Sequence, residues 1–190
     1  MCLRKQIARR CCSVKFEDLE KLIRHGKILD VNSIKKPKQP LIIAIGGGKG
    51  GVGKSFIAAN LGAVLANSGL NIAVVDLDLG SPNLHTCLGM KVPKHTMEDF
   101  FAGDVENLGD LATKSSIKNL DFFAGSHQFW HSVKPFGMQK SKLIAEFQKL
   151  KYDYIIFDLG AGAHVHTLDF FIFADLSVAI VTPEPTSIEN

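Results

Sequence analysis

The apolar positions of this chain fall into two rhythms. Short continuous runs at 41–45, 71–76, 120–124, 154–158 and 176–181 read as strands buried on both faces, the pattern of a parallel sheet. Longer stretches at 56–67, 141–150 and 166–175 repeat at helical spacing. The first of these is rich in Ala and Leu and is closed by Ser68-Gly69, and the second places Leu143, Ile144, Phe147 and Leu150 on one face. Thr96-Met97-Glu98-Asp99 has the form of a capping box and predicts a short helix that Gly103 stops.

Strands and helices that alternate in this way predict an α/β fold, a doubly wound and mostly parallel sheet. A loop with Gly80, Pro82 and Gly89 fills 79–93, and the stretch 126–137 around Trp130 has no assignable rhythm. Pro183-Glu184-Pro185-Thr186-Ser187 reads as a loop leading to a helix N-terminus. Ahead of the first strand, Phe16, Leu19, Leu22, Ile23 and Leu29 predict a short amphipathic helix that ends near Gly26. The stretch 35–40, with three lysines and two prolines, suits neither helix nor strand and reads as a linker. The expected division is therefore an arm over 1–40 and one compact domain over 41–190.

Charge separates the same two parts. Residues 1–40 hold 11 Lys and Arg against 4 Asp and Glu, a net of +7, and the remainder holds 11 against 15, a net of −4. The arm, with Arg4, Lys5, Arg9 and Arg10 close together, is either a solvated tail or a contact for an acidic partner, a membrane surface or nucleic acid. An apolar fraction of 46% is enough for a substantial core in the rest. Cys2, Cys11, Cys12 and Cys87 form no CxxC pair, which argues against a zinc framework or a disulfide scaffold and for a reducing cytoplasm. The longest greasy stretch, 170–181, is broken by Asp175 and is too short to span a bilayer, and no signal peptide is evident.

The chemistry gathers where the first strand ends. Gly48-x-x-x-x-Gly53-Lys54-Ser55 satisfies the P-loop pattern. Glycines let backbone N–H groups curl round a phosphate, and the following helix aims its positive end at the same anion. Lys54 can reach the terminal phosphates and the Ser55 hydroxyl can ligate Mg2+. Gly48-x-Gly50-x-x-Gly53 also fits the dinucleotide fingerprint, with Asp76 near the distance of a ribose contact. Lys54-Ser55 is required only by the nucleoside-triphosphate reading. That reading also explains Asp158, a carboxylate ending an apolar strand and placed to hold magnesium. Asp76 and Asp78 end the second strand, where open α/β sheets bind ligands, and the plainer reading is that they cap the strand in water. His85, Cys87, His164 and His166 have no third ligand at metal-binding spacing and read as surface or core residues. Phe170-Phe171-Ile172-Phe173 reads as core or as an interface patch.

The early lysine of Lys49-Gly50-Gly51-Val52-Gly53-Lys54-Ser55 is the deviant form of the loop. With Asp76-Leu77-Asp78, Pro82-Asn83-Leu84 and Phe157-Asp158-Leu159-Gly160-Ala161-Gly162, it makes residues 41–190 resemble the MinD/ParA family of ATPases. The resemblance implies a P-loop NTPase fold that binds ATP and Mg2+ through Gly48, Lys49, Gly50, Gly51, Val52, Gly53, Lys54, Ser55 and Phe56. It implies magnesium contacts from Ser55, Asp76 and Asp158, and catalytic roles for Lys49, Lys54 and Asp78. In the family, ATP closes a homodimer. Lys49 would cross to the partner's phosphates, and Asp78 would orient the attacking water. The resemblance points to the MinD-like or flagellar-positioning branch, which places division sites, flagella, chromosomes or other cargo and is stimulated by a protein activator. It also implies a cytoplasmic protein, at most peripheral at the inner membrane surface. Relatives continue past the Pro183-Glu184-Pro185 loop into segments with adenine contacts and, in MinD proteins, a membrane helix. The expectation is thus a C-terminally truncated ATPase domain. The alternative is a nucleotide-binding regulatory module with little turnover. The iron–sulfur carrier branch needs cysteine pairs that this chain lacks.

Overall fold

The computed structural model describes residues 37–78, 80–125, 136–162 and 165–183. The amphipathic segment expected over 13–29, Trp130, His164, the side chain of His166 and the stretch 184–187 lie outside these residues.

The five predicted strands all form, as β1 Leu41–Gly47, β2 Ile72–Leu77, β4 Leu120–Phe123, β5 Tyr154–Ala161 and β6 Leu176–Ala179. A two-residue strand, β3 Thr113–Lys114, is added at one edge, giving the order β3-β4-β2-β5-β1-β6. Every pairing is parallel except the antiparallel β3–β4 edge. The hairpin joining β3 to β4 turns on Asn119, whose φ of 65° is left-handed. Two residues are too few for a hydrophobic rhythm, so β3 leaves no trace in the sequence pattern.

The helices are α1 Lys54–Asn67, α2 Leu84–Cys87, α3 Met97–Ala102, α4 Phe136–Lys149 and α5 Val165–Phe173. Compared with expectation, α1 starts two residues earlier, α4 five residues earlier, and α2 puts one helical turn into the stretch read as loop. The capping box at α3 forms as expected: Glu98 N donates to the Thr96 hydroxyl and Thr96 N to Asp99 Oδ2 at 2.6 Å. That bond to the Thr96 amide is the main reason the Asp99 carboxyl titrates below its ordinary range.

Alternation along the strands sends side chains to two faces. One face carries Ile42, Ala44, Ala73, Val75, Phe123, Ile155, Phe157 and Leu159, and meets α3, α4 and α5 through Met97, Phe100, Leu143, Phe147 and Phe170. Phe123, Phe147, Phe157 and Phe170 form an edge-to-face chain with centroids 5.2, 5.5 and 5.8 Å apart, linking β4, α4, β5 and α5. The opposite face is covered by α1. A Cβ on Gly62 would lie 2.8 Å from Val74, 3.2 Å from Leu120 and 3.7 Å from Ile156, so the helix can sit this close only because residue 62 is glycine. Helices thus cover both faces, which is the doubly wound arrangement. The same alternation places Asp76 and Asp158 on the α1 side.

Candidate functional site

The register sets the first part of the site. Ile45, Asp158 and Asp76 lie side by side on β1, β5 and β2, one level before the P-loop departs from β1. The turn after β1 uses left-handed backbone at Gly51 (φ 76°) and Gly53 (φ 94°), and Ile57 N donates back to Gly53 O at 2.9 Å to open α1. No side chain caps that end of α1, and its first turn holds no acidic residue. The first N–H groups of a helix need acceptors, so an uncapped end with Lys54 and Ser55 in it is complementary to an anion. The fully boxed α3 shows that this chain can cap a helix where no ligand is expected.

Lys54 is buried, 6% exposed, and its Nζ donates to Lys49 O at 3.3 Å. An ammonium has three donors, so one carbonyl leaves capacity for phosphate oxygens. Lys49 is half-buried on the rim beside the exposed Gly50 and Gly51, and Val52 is half-buried. The Phe56 ring points outward, 66% exposed, so any part it takes in binding is through its backbone.

Asp158 is fully buried, and neither carboxylate oxygen has a hydrogen-bond partner among the described residues. Burial is the chief cause of its carboxyl being pushed up to about 7. The nearby Ser55 hydroxyl opposes the rise, Asp76 and Asp78 add to it, and Lys54 opposes it. Orphaned buried oxygens of this kind call for a cation. Among the described residues no three His, Cys, Asp or Glu side chains cluster to hold a metal by themselves. Mg2+ does not need such a cluster, since it takes one or two carboxylates, a substrate phosphate and waters. Ser55 and Asp158 fit that ion.

Asp76 also organises the loop that follows β2. It is fully buried, and its two oxygens accept Asp78 N at 3.1 Å and Leu84 N at 3.0 Å. These bonds fold the loop after β2 around a buried carboxylate, not a strand end open to water, and each oxygen keeps a second lone pair. Asp78 lies just past β2, where Oδ1 accepts Gly80 N at 2.9 Å and Ser81 N at 3.2 Å. It also packs on Gly160, where a Cβ would come within 2.9 Å of Oδ1.

Two structural partners of the site went unrecognised in the sequence. Gly160 belongs to β5, which runs on past Asp158 to Ala161, and it seats Asp78. Just past β6, Ile180 N donates to Gly46 O at 2.8 Å and holds the end of β1 from which the P-loop departs. The only sequence signal for the first was a glycine directly after Leu159, and for the second there was none. His85 is half-buried and Cys87 exposed, and burial is the first cause of the Cys87 thiol titrating above its usual range, which makes it a poor nucleophile. A cleft of about 380 Å³ reaches Asp76 past Pro82, His85 and Val92. A larger one of about 530 Å³, with Lys114, Asp121 and Tyr152 in its wall, contains none of the expected site residues.

Residues 43–168 match the family described as the CobQ/CobB/MinD/ParA nucleotide binding domain. The septum site-determining protein MinD of Helicobacter pylori is 31% identical over 151 residues, covering 79% of this chain and 56% of that protein. The flagellum site-determining protein YlxH of the same organism is 30% identical over 181 residues, covering 87% and 58%. Among solved structures, the septum site-determining protein MinD of Pyrococcus horikoshii complexed with Mg-ADP aligns with a TM-score of 0.68 and 29% identity, covering 79% of this chain and 61% of that one. The chain spans little more than half the length of these curated relatives. The P-loop NTPase fold, the phosphate-binding turn and the matched residues agree, and the chain belongs to the CobQ/CobB/MinD/ParA nucleotide-binding domain family.

Proposed function

We propose that this chain is a Mg2+-dependent ATP-binding and ATP-hydrolysing switch of the MinD/ParA type, acting in spatial positioning. The carrying observation is the juxtaposition of an uncapped α1 N-terminus, the buried Lys54 ammonium and the unpartnered carboxylate of Asp158. The Mg-ADP held by the Pyrococcus MinD, and the septum- and flagellum-siting names of the relatives, support the same reading.

In it, the backbone of 48–56 and Lys54 bind the phosphates, and Ser55 and Asp158 hold the cation. Bound Mg2+ neutralises charge on the β- and γ-phosphates. Asp76 keeps the loop bearing Asp78 in place. Asp78 orients a water that attacks the γ-phosphorus as the bond to the bridging oxygen breaks, giving ADP and phosphate. Lys49, from the loop rim, meets the phosphates of a second copy, so that ATP favours a dimer and hydrolysis dissolves it. A protein activator completes the site, and the arm over 1–40 is a separate basic appendage to the ATPase domain over 41–190, suited to anionic surfaces. Among the described residues no helix is long and apolar enough to cross a membrane.

A second reading, a nucleotide-binding module with little turnover, draws on the bonds from Gly80 and Ser81 that occupy Asp78. ATP binding and phosphate release by the wild type, Lys54→Ala and Asp78→Ala separate the two. The ATPase reading expects Lys54→Ala to lose binding, and Asp78→Ala to keep ATP-dependent dimerisation but lose turnover. Wild-type turnover at background with ATP still bound would favour the module. Binding of NADH but not ATP would refute both.

A further inference from the structure

The cleft of about 530 Å³ lies at the far end of the sheet from the P-loop. The P-loop leaves the carboxyl end of β1. The cleft is walled in part by Asn71, Leu120 and Tyr152, which stand at or just before the amino ends of β2, β4 and β5. These strands and β1 run parallel, so a strand length of roughly 20 Å separates the two places. The volume is that of a small-molecule site.

Its walls carry both signs of charge. Lys114, Lys118 and Lys151 line it, and all three are exposed. Lys118 and Lys151 make no ion pair or hydrogen bond among the described residues, and Lys114 spends one of its three donors on Asp121. Residues 41–190 are acidic as a whole, net −4, so three lysines facing one carboxylate concentrate positive charge where the domain has little. Asp121 is 5% exposed, and its Oδ2 accepts both Lys114 Nζ and Tyr152 Oη at 2.8 Å. Its Oδ1 accepts no bond from the described residues and is not sealed from the cleft. The walls are held in place without a ligand. Ile72 N donates to Asn119 O at 2.8 Å, Asn71 N to Asp153 Oδ2 at 2.7 Å, and the Ser115 hydroxyl to Leu120 O at 2.8 Å.

We propose that this cleft binds a small phosphate ester that carries hydroxyl groups, of the glycerol phosphate kind. The three ammonium groups supply charge and donors for the phosphate. Asp121 Oδ1 repels a second anionic group and accepts a hydroxyl instead. The ligand therefore needs one charged end and one neutral, donating end. Ile117 and Leu150, in the same wall, give its carbon skeleton apolar contact. Inorganic phosphate meets only the first requirement. The cleft shares no residue with the P-loop, so the proposal does not depend on whether the chain binds or hydrolyses ATP.

The experiment is an isothermal titration of glycerol 3-phosphate into the 190-residue chain. Saturable binding near one ester per chain is expected. Ethyl phosphate, which has no hydroxyl on its carbons, should bind roughly tenfold more weakly. Lys118→Glu combined with Lys151→Glu should weaken the ester by roughly tenfold or more, with the circular dichroism spectrum and the response to ATP as in the wild type. Lys54→Ala should bind the ester as the wild type does. Phosphatidylglycerol vesicles present the same group as a headgroup. Co-sedimentation that the double variant loses assigns the lipid as the source, and co-sedimentation that is absent or equal in both chains assigns the soluble ester. No saturable binding, equal binding of ethyl phosphate, or binding that Lys54→Ala abolishes and the double variant keeps would overturn the proposal. The last result would put the ester in the P-loop.

Discussion

Asp158→Asn should stabilise the nucleotide-free protein while destroying its response to Mg-nucleotide. The wild-type carboxyl is pushed from 3.8 to about 7, chiefly by burial. Below pH 3.8 the carboxyl is protonated in both folded and unfolded chains, and the group costs nothing. Between 3.8 and about 7 the unfolded chain has released the proton and the folded chain keeps it, so stability falls as pH rises. Above about 7 the loss is complete. A rise of about three pH units corresponds to roughly 4 kcal/mol as an upper figure. Asparagine is nearly isosteric and has no such dependence. Thermal unfolding followed by circular dichroism from about pH 4 to about pH 8 should show the variant and wild type together at the acid end. They should separate to as much as roughly 10 °C at the alkaline end, with the variant higher. Mg-ADP should raise the wild-type midpoint and leave the variant unmoved. A gap that does not depend on pH, or a variant less stable than wild type at pH 8, would refute the claim that burial raises the Asp158 carboxyl.

Gly62→Ala should lose about 1 kcal/mol in urea unfolding, because a clash at 2.8 Å with Val74 outweighs the better helix propensity of alanine. A more stable variant would mean that α1 is free to shift. Gly160→Ala should lower kcat roughly tenfold with ATP affinity almost unchanged, since its Cβ displaces Asp78 rather than the phosphate cradle. At the other edge of the sheet, Lys114 Nζ and Tyr152 Oη both donate to Asp121 Oδ2 at 2.8 Å. Asp121→Asn should cost about 1–2 kcal/mol. Lys114→Ala should cost less than about 1 kcal/mol, because its side chain is 83% exposed.

The elements that sequence reasoning found are those whose signal is local. Continuous apolar runs mark buried parallel strands, Thr96 and Asp99 mark a helix start, and the spacing of Gly48, Gly53, Lys54 and Ser55 marks a phosphate turn. What it missed depends on residues far apart in the chain. The bonds from Asp78 N and Leu84 N by which Asp76 folds the loop after β2 have no signature in the local sequence pattern. Gly160 is a strand residue whose missing Cβ makes room for Asp78, a contact that no local pattern marks. The Phe170–Phe173 run could not be divided into core and surface until the helix was placed against β1 and β5. Asp158 lies inside β5, and register places it between Ile45 and Asp76.

The most direct test of the nucleotide-switch reading is an isothermal titration of ATP into the 190-residue chain, with and without Mg2+. Saturable binding near one ATP per chain is expected, tighter with Mg2+ and abolished by Lys54→Ala. Absence of binding, or binding that survives Lys54→Ala and ignores Mg2+, would contradict it.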